Sequence, residues 1–549
     1  MTALLTDNLP LLAGAPNGIK KLRELILELA VRGKLVPQDP NDEPASELLK
    51  RIAEEKARLV AEGKIKKQKP LAGIEEEEKP FELPNGWVWR RFGEVFSLEY
   101  GDNLPADKRS NTGEYPVYGS NGVVGTHSTC FVDSPCIVVG RKGSAGALNL
   151  CLSRGCCVTD VAYYCIPPSA FSLDYAFKLF HTLGLDSLGK GIKPGLNRNE
   201  VYELVVAAPP IAEQHRIVAK VDKLMALCDR LEARQADADS AHAQLVQALL
   251  GSLTQASDAA DFAQSWQRLA EHFHTLFTTE SSIDALKQAL LQLAVMGKLV
   301  PQDPSDEPAS ELLKRIAEEK ATLIAEGKIR KQKQLAEITE EEKLFELATG
   351  WEWSRLGEQV IESGAGWSPS CEPRPREGND WGVLKVSAVS WGVYRPEENK
   401  ALPVSLEARP EHEVAEGDFL VSRANTAELV ARSVVVDSTP SRLMLSDKIV
   451  RLRLTKLCDA HYLNLVNSAT HARQYYARVA GGTSSSMKNV SREQILSLPI
   501  AVPPLPEQHR IVAKVDQLMA FCDQLKARLH QARQVHEQLA NALVEQAVA

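Results

Sequence analysis

The sequence predicts an α/β (α+β) fold in tandem: two mixed domains joined by long α-helices that pair as an antiparallel coiled coil, on a pseudo-two-fold internal repeat. Three observations carry this. Residues 33–69, GKLVPQDPNDEPASELLKRIAEEKARLVAEGKIKKQK, return as residues 297–333, identical at 33 of 37 positions with an offset of 264. PPIAEQHRIVAKVDKLMALCDRL, starting at Pro209, returns as PPLPEQHRIVAKVDQLMAFCDQL, starting at Pro503, with an offset of 294. The segments between, 90–208 and 354–502, share little sequence and differ in length by 30 residues. A sharp repeated frame around unlike inserts means the frame does one job twice and the inserts do two different jobs of one kind.

The elements follow in chain order. Ile19, Leu22, Leu25, Ile26 and Leu29 mark a short amphipathic helix, and Gly33 stands where its stop belongs. Pro-Asp turns then lead into a charged helix, capped by Ser46 or a neighbour and ending near Gly63, before the basic run KIKKQK. Such a helix is either a solvated face or, because it occurs twice, a docking surface. The same series recurs from Ile283, Leu286, Leu290, Leu291 and Leu293 to Gly297, and Trp87 and Trp89 recur as Trp351 and Trp353. The first insert has β-like runs at 115–118, 136–140 and 161–165; the second has them at 419–422, 433–436 and 448–454. After each insert Ile217, Val221, Leu224, Cys228 and Leu231, then Ile511, Val515, Leu518, Cys522 and Leu525, step by 4, 3, 4, 3, the spacing of a coiled-coil seam. Leu245, Leu249 and Leu253 extend the first helix; Leu529, Val535, Leu539 and Leu543 extend the second. About 40 residues of helix span about 60 Å. Residues 255–281 lack a counterpart and read as a linker helix. The expected division is a helical region 1–86, a first insert 87–208, a central helical region 209–350, a second insert 351–502 and a final spacer helix 503–549.

Composition narrows the class. The 549 residues, 44% hydrophobic and 25% charged, suit an ordinary globular chain of three to four structural units. No run approaches the roughly 20 apolar residues that span a bilayer. Met1 to Lys20 has no basic start or apolar run, so a cytoplasmic chain without a signal peptide is expected. The net charge of −8 disfavours nucleic acid at first sight, yet residues 87–208 and 351–502 each sum to zero, so the deficit lies in the frame. Cys130, Cys136, Cys151, Cys156, Cys157 and Cys165 crowd one segment without a CxxC pair, which predicts reduced, mostly buried thiols and no metal.

No catalytic signature holds. The chain has no GxxxxGK[ST] loop, GxSxG elbow, HExxH or adenine-methyltransferase motif, and Gly364-Ala365-Gly366 is too short for a nucleotide. His215 and His509, in PPxxEQHRI, read as packing or capping residues at a hinge, and Glu75 to Glu78 as a surface run. The inserts therefore read as binders. In the first, Tyr118, Ser120 and Asn121 sit on a Gly-flanked turn, an apolar strand delivers Arg141, Lys142 and Ser144, and a later loop carries Lys190, Lys193, Asn197 and Arg198. In the second, the strand ending at Ser422 delivers Arg423, Asn425 and Thr426, and a later loop carries Thr483, Ser484, Ser485, Lys488 and Asn489, with Arg492 beyond. Arg can fork onto guanine and Asn onto adenine, while Lys, Ser and Thr hold phosphates. Two such loops in each insert point to double-stranded DNA.

The signals ELAVRGKLVPQDPNDEPASELLKRI, YPVYGSNGVVG with IVVGRKGSAG, and PPIAEQHRIVAKVDKLMALCDRL resemble those of the specificity (S) subunit of type I restriction-modification enzymes, over nearly the whole chain. The resemblance implies two target-recognition domains, each reading half of a split asymmetric site. It implies helical regions that space them and recruit methyltransferase (M) subunits, two in number, and through them restriction (R) subunits. S-adenosylmethionine, ATP and Mg are then expected on those partners and no cofactor on this chain. The repeated start before each recognition domain and the extra 255–281 segment depart from the shortest version of the pattern, which leaves open which helix docks M. The alternative is a free-standing bivalent DNA-binding repressor, which would not need the twice-repeated 33–69 surface.

Overall fold

The computed structural model describes residues 9–63, 65, 70–190, 195–482 and 487–548. They form two compact units, one of residues up to Ala238 together with those from Ala532 onward, the other of Asp239–Gln531.

The first unit opens with α1 (Leu9–Gly14), α2 (Gly18–Val31) and α3 (Ala45–Ala61). The predicted stripe Ile19, Leu22, Leu25, Ile26 and Leu29 is the buried face of α2. Gly33 follows that helix at φ +66°, a left-handed conformation, and an added Cβ would come within 2.4 Å of Pro84. Ser46 does not cap α3: Pro44 holds the cap position, and the first free N–H, of Ala45, donates to the Gly86 carbonyl across 2.9 Å. The turn at Gly86 does the work that a side-chain cap would do.

The insert leaves and re-enters the frame through one antiparallel stem, β1 (Val88–Arg91) beside a returning strand 205–208. Between them come β2 (Glu99–Tyr100), β3 (Tyr115–Gly119), β4 (Gly122–His127), β5 (Cys136–Gly140), β6 (Leu148–Cys151), β7 (Cys157–Val158), β8 (Ala162–Cys165), α4 (Leu173–Phe180) and α5 (Arg198–Tyr202); β9 is Val205–Ala208. They form a four-stranded antiparallel sheet, β2-β8-β5-β6, and a three-stranded mixed sheet, β4-β3-β7. Central β5 is buried throughout, which explains its unbroken apolar run. The long helix α6 (Ile211–Thr254) follows. Its seam residues Ile217, Val221 and Cys228 are buried in the cluster that holds Ile19, Leu22 and Ile26, and Arg23 of α2 reaches Asp229 and Glu232 at 2.6 and 2.8 Å. Residues from Ala532 onward lie against α1, where Ala540 joins Leu12 and Ala15.

The second unit repeats this plan. The end of α6 (Val246, Leu250, Leu253) packs with α7 (Ala259–Ala270), the predicted linker helix, and with α8 (Glu280–Val295). α9 (Ala309–Ala325) matches α3. The stem is β10 (Glu352–Arg355), paired with residues 499–502. The insert holds β11 (Val360–Ala365), β12 (Gly382–Leu384), β13 (Asn399–Ala401), β14 (Phe419–Ser422), β15 (Ala424–Asn425), β16 (Ser433–Val435), β17 (Leu443–Met444), β18 (Ile449–Leu454), α10 (Ala460–Ser468), α11 (Thr470–Val479), β19 (Lys488–Asn489) and α12 (Arg492–Leu496); β20 is Pro499–Val502. Its sheets run β11-β18-β14-β16 and β13-β12-β17. Strand order, direction and the one parallel pair of the smaller sheet all match the first insert. Two segments with little common sequence thus build one topology. The last helix, α13 (Leu505–Val548), buries Ile511, Val515, Leu518 and Cys522 in the cluster that holds Ile283, Leu286 and Leu290, flanked by Lys287–Asp523 and Lys526–Asp284 pairs at 2.5 and 2.6 Å. Each unit therefore holds the front of one long helix and the rear of the other, and each seam is covered by the short helix that opens its own frame. Among the described residues no helix is long and apolar enough to cross a membrane.

Candidate nucleic-acid interface

The frame first fixes where each insert stands. Glu213 and Gln214, from the PPxxEQHR motif, are buried. Glu213 accepts from the Trp87 indole at 2.9 Å and the Gln38 amide at 3.1 Å, and Gln214 accepts from the Ser172 N–H at the start of α4. Trp351, Gln302 and Glu507 repeat the first arrangement, and Asp459 with Gln508 the second. The adjacent His215 and His509 are exposed, so the packing expected of the histidines falls to the Glu-Gln pair before them. Lys56 ties α3 to the insert by donating to the Gly93 carbonyl at 2.6 Å, and burial pushes its amine down to about 8. Lys320 does the same at Gly357.

From this base, β5 delivers Arg141. The chain turns at once, so that Gly140 lies where an added Cβ would stand 2.0 Å from the Ser144 carbonyl and 2.4 Å from that of Ser120. The Ser144 N–H donates to Ser120 Oγ at 3.0 Å, joining the β3–β4 turn to the Arg141 loop. The Leu196 N–H donates to the Arg141 carbonyl at 2.8 Å, joining the later loop as well. Three separated stretches of the first insert thus meet. In the second insert the Val490 N–H donates to the Arg423 carbonyl at 2.9 Å, and β15 pairs with β19, Asn425 opposite Lys488. Asn425 Nδ2 donates to Ser390 Oγ at 2.8 Å, drawing in the corresponding turn. The two loops singled out in each insert by sequence thus meet, through equivalent backbone bonds in the two inserts.

Individual residues divide by what already occupies them. Asn121, Arg423 and Asn489 carry side-chain groups without a protein hydrogen bond among the described residues, and Asn121 and Asn489 are exposed. Lys142 is exposed, 3.4 Å from Asp160. Lys190 pairs with Glu200, and Lys488 donates to the Gly482 carbonyl. Asn197 caps α5 by accepting from the Asn199 N–H, and the Asn425 Oδ1 accepts from the Thr426 N–H, so both hold loop shape. Tyr118 is a correction. Its ring is buried with Cys136, Cys151 and Cys156, because Tyr118 takes an inward position of β3. Lys193, Thr483, Ser484 and Ser485 lie outside the described residues.

Sequence reasoning missed Tyr100. Arg141 stands 4.7 Å and Arg198 4.6 Å from its ring centroid, and its ring is 44% exposed. The signal was there in hindsight, a lone aromatic before Gly101, but strand pairing was needed to place it. Arg492 was seen but set aside; it occupies the position of Arg198, donating to the Ser363 carbonyl as Arg198 donates to that of Leu98, both at 3.1 Å. Sequence spacing also missed that the sulfurs of Cys136, Cys151 and Cys156 lie within 4.8 Å of one another. Strand register puts Cys136 opposite Cys151. Hydrogen bonding and burial raise the Cys156 thiol, and burial raises that of Cys151, so both are protonated at neutral pH.

The family described as Type I restriction modification DNA specificity domain matches residues 84–238 and 350–532. The chain is 44% identical to the type I restriction enzyme EcoEI specificity subunit of Escherichia coli, over 97% of this chain and 94% of that protein. It is 38% identical to the EcoAI specificity subunit of Escherichia coli, again over 97% and 94%. The solved HsdS subunit from Thermoanaerobacter tengcongensis aligns with a TM-score of 0.39 at 18% identity, covering 86% of this chain and 98% of that one.

Proposed function

The chain belongs to the type I restriction-modification DNA specificity family, and on that premise we propose that its two inserts each read one half of a bipartite, asymmetric DNA site. It is the DNA specificity subunit of such a system, a component that does no chemistry itself. The observation that carries the bipartite reading is the repeated junction: one strand order, an arginine at the end of the central strand, and a second loop bonded to that arginine's carbonyl, in each insert. Around this common scaffold the exposed side chains differ, so the half-sites differ. Arg141, Lys142, Asn121 and Arg198 form the first reading surface, with Ser120 and Ser144 shaping it. Arg423, Lys488, Asn489 and Arg492 form the second, shaped by Asn425 and Thr426. Lys190 and the loop residues Lys193, Thr483, Ser484 and Ser485 serve the phosphate backbone.

The duplicated frame recruits two methyltransferase subunits in the cytoplasm, through surfaces that include α3 and α9, and restriction subunits join through them. S-adenosylmethionine, ATP and Mg act on those partners. The test is a map of methylated adenines across the host genome with and without this gene. Loss of one bipartite motif is expected; a methylation map unchanged by deletion defeats the reading.

A further inference from the structure

We infer that Tyr100 is a specificity-determining residue of the first reader, fixing Arg141 and Arg198 as a matched pair that engages one stretch of duplex. This rests on the DNA-reading assignment above.

The geometry is a small stack. The Tyr100 ring carries Arg198 at 4.6 Å and Arg141 at 4.7 Å, both inside the range of a cation–π contact. Tyr163, buried, lies behind it with ring centroids 5.1 Å apart, and Arg141 is also 5.6 Å from Tyr163. The Tyr163 hydroxyl donates to the Leu196 carbonyl at 3.1 Å, which ties this platform to the later loop. Among the described residues each arginine gives one N–H to the protein, Arg141 to the Asp160 carbonyl and Arg198 to that of Leu98. A guanidinium has five N–H donors, so a fork remains on each for a base edge or phosphate. An unrestrained arginine loses rotamer freedom on binding; a stacked one has lost it already, and its fork is aimed before DNA arrives.

The second insert shows that the sheet itself does not need this ring. By strand register, Tyr100 opposite Tyr163 corresponds to Ala365 opposite Val450, each alongside the strand that ends before its arginine. Arg492 keeps the backbone bond of Arg198 there. The same scaffold thus stands with alanine and valine in place of two tyrosines. The aromatic brace belongs to what the first reader recognises, not to what folds it.

The experiment uses the full chain co-expressed with its cognate methyltransferase subunit, measuring methylation of duplexes with base substitutions in one half-site at a time. Tyr100→Leu is expected to lower discrimination at the first half-site about tenfold, the scale of two exposed cation–π contacts. Discrimination at the second half-site stays at the parent value, which also reports that the protein is folded. Tyr100→Phe, which keeps the ring, restores first-site discrimination to within about threefold, since the ring face and not the hydroxyl holds the cations. Unchanged first-site discrimination in Tyr100→Leu, equal loss at both half-sites, or a Tyr100→Phe as poor as Tyr100→Leu overturns the inference. If Arg141→Ala also leaves first-site discrimination intact, the DNA-reading assignment itself fails, which separates the two outcomes.

Discussion

The indole N–H of Trp87 donates to the carboxylate of Glu213 across 2.9 Å in the protein interior, and 264 residues on, Trp351 bonds Glu507 at 3.1 Å. Burial raises the pKa of both glutamates, while the Trp and Gln donors act to lower it. A buried carboxyl that loses a donor carries an uncompensated desolvation cost. Trp87→Phe is therefore expected to destabilise the first unit by about 1–3 kcal/mol, and Trp351→Phe the second similarly. Urea unfolding of each variant checks this; an unchanged midpoint would remove the bond from the list of what holds the insert to its helix.

Gly140 sits where three stretches of the first insert cross, with two carbonyl oxygens within 2.4 Å of any added Cβ. Gly140→Ala must push the Ser120 and Ser144 loops apart. Methylation of the bipartite target should fall at least tenfold, about 1.4 kcal/mol at the transition state. Initial methylation rates on cognate duplex measure it.

Much of the frame was legible because repetition exposes it. A 33-of-37 match, glycine stops after Val31 and Val295, and a 4-3-4-3 seam all follow from local periodicity. The strands ending at Gly140 and Ser422 were legible from apolar runs, and the arginines that follow them from position. What escaped was long-range. The common strand order of the two inserts, the seating of Tyr100 beneath two arginines, the inward turn of Tyr118 and the cap supplied by Gly86 rather than Ser46 all depend on pairing between distant segments. The motif EQHR was located, but its buried weight lies in Glu213 and Gln214, two and one residues before the histidine that drew notice.

His471 is buried beside Phe345, neither ring nitrogen has a hydrogen-bond partner among the described residues, and burial pushes its pKa down to about 4. The unfolded chain takes up a proton near pH 6.5 that the folded chain refuses until about pH 4. Stability is therefore full above pH 6.5, falls as pH drops through that window, and levels off below pH 4. Between pH 7 and 5 the loss is about 2 kcal/mol. His471→Leu should flatten that part of the profile, read by chemical denaturation at both pH values.

Arg141→Ala should lower discrimination at one half-site and Arg423→Ala at the other, each by about 1–3 kcal/mol per base pair recognised. Competition between cognate and singly substituted duplexes measures this. Loss at both half-sites from one substitution contradicts two independent readers.

The net charge of −8 gives this subunit little general attraction for phosphates. Binding to specific duplex at physiological salt should be at least tenfold tighter with the methyltransferase subunit present, and its salt slope steeper. Titration of labelled duplex with and without that subunit decides; equal affinity refutes the expectation.

The two-stranded stems have a wider implication. Each insert is gripped by four residue pairs, Val88–Arg91 against Val205–Ala208 and Glu352–Arg355 against Pro499–Val502. The chain passes between frame and insert at this neck, so a whole insert is exchangeable at two joints, provided that its replacement again fills the core it shares with the helices.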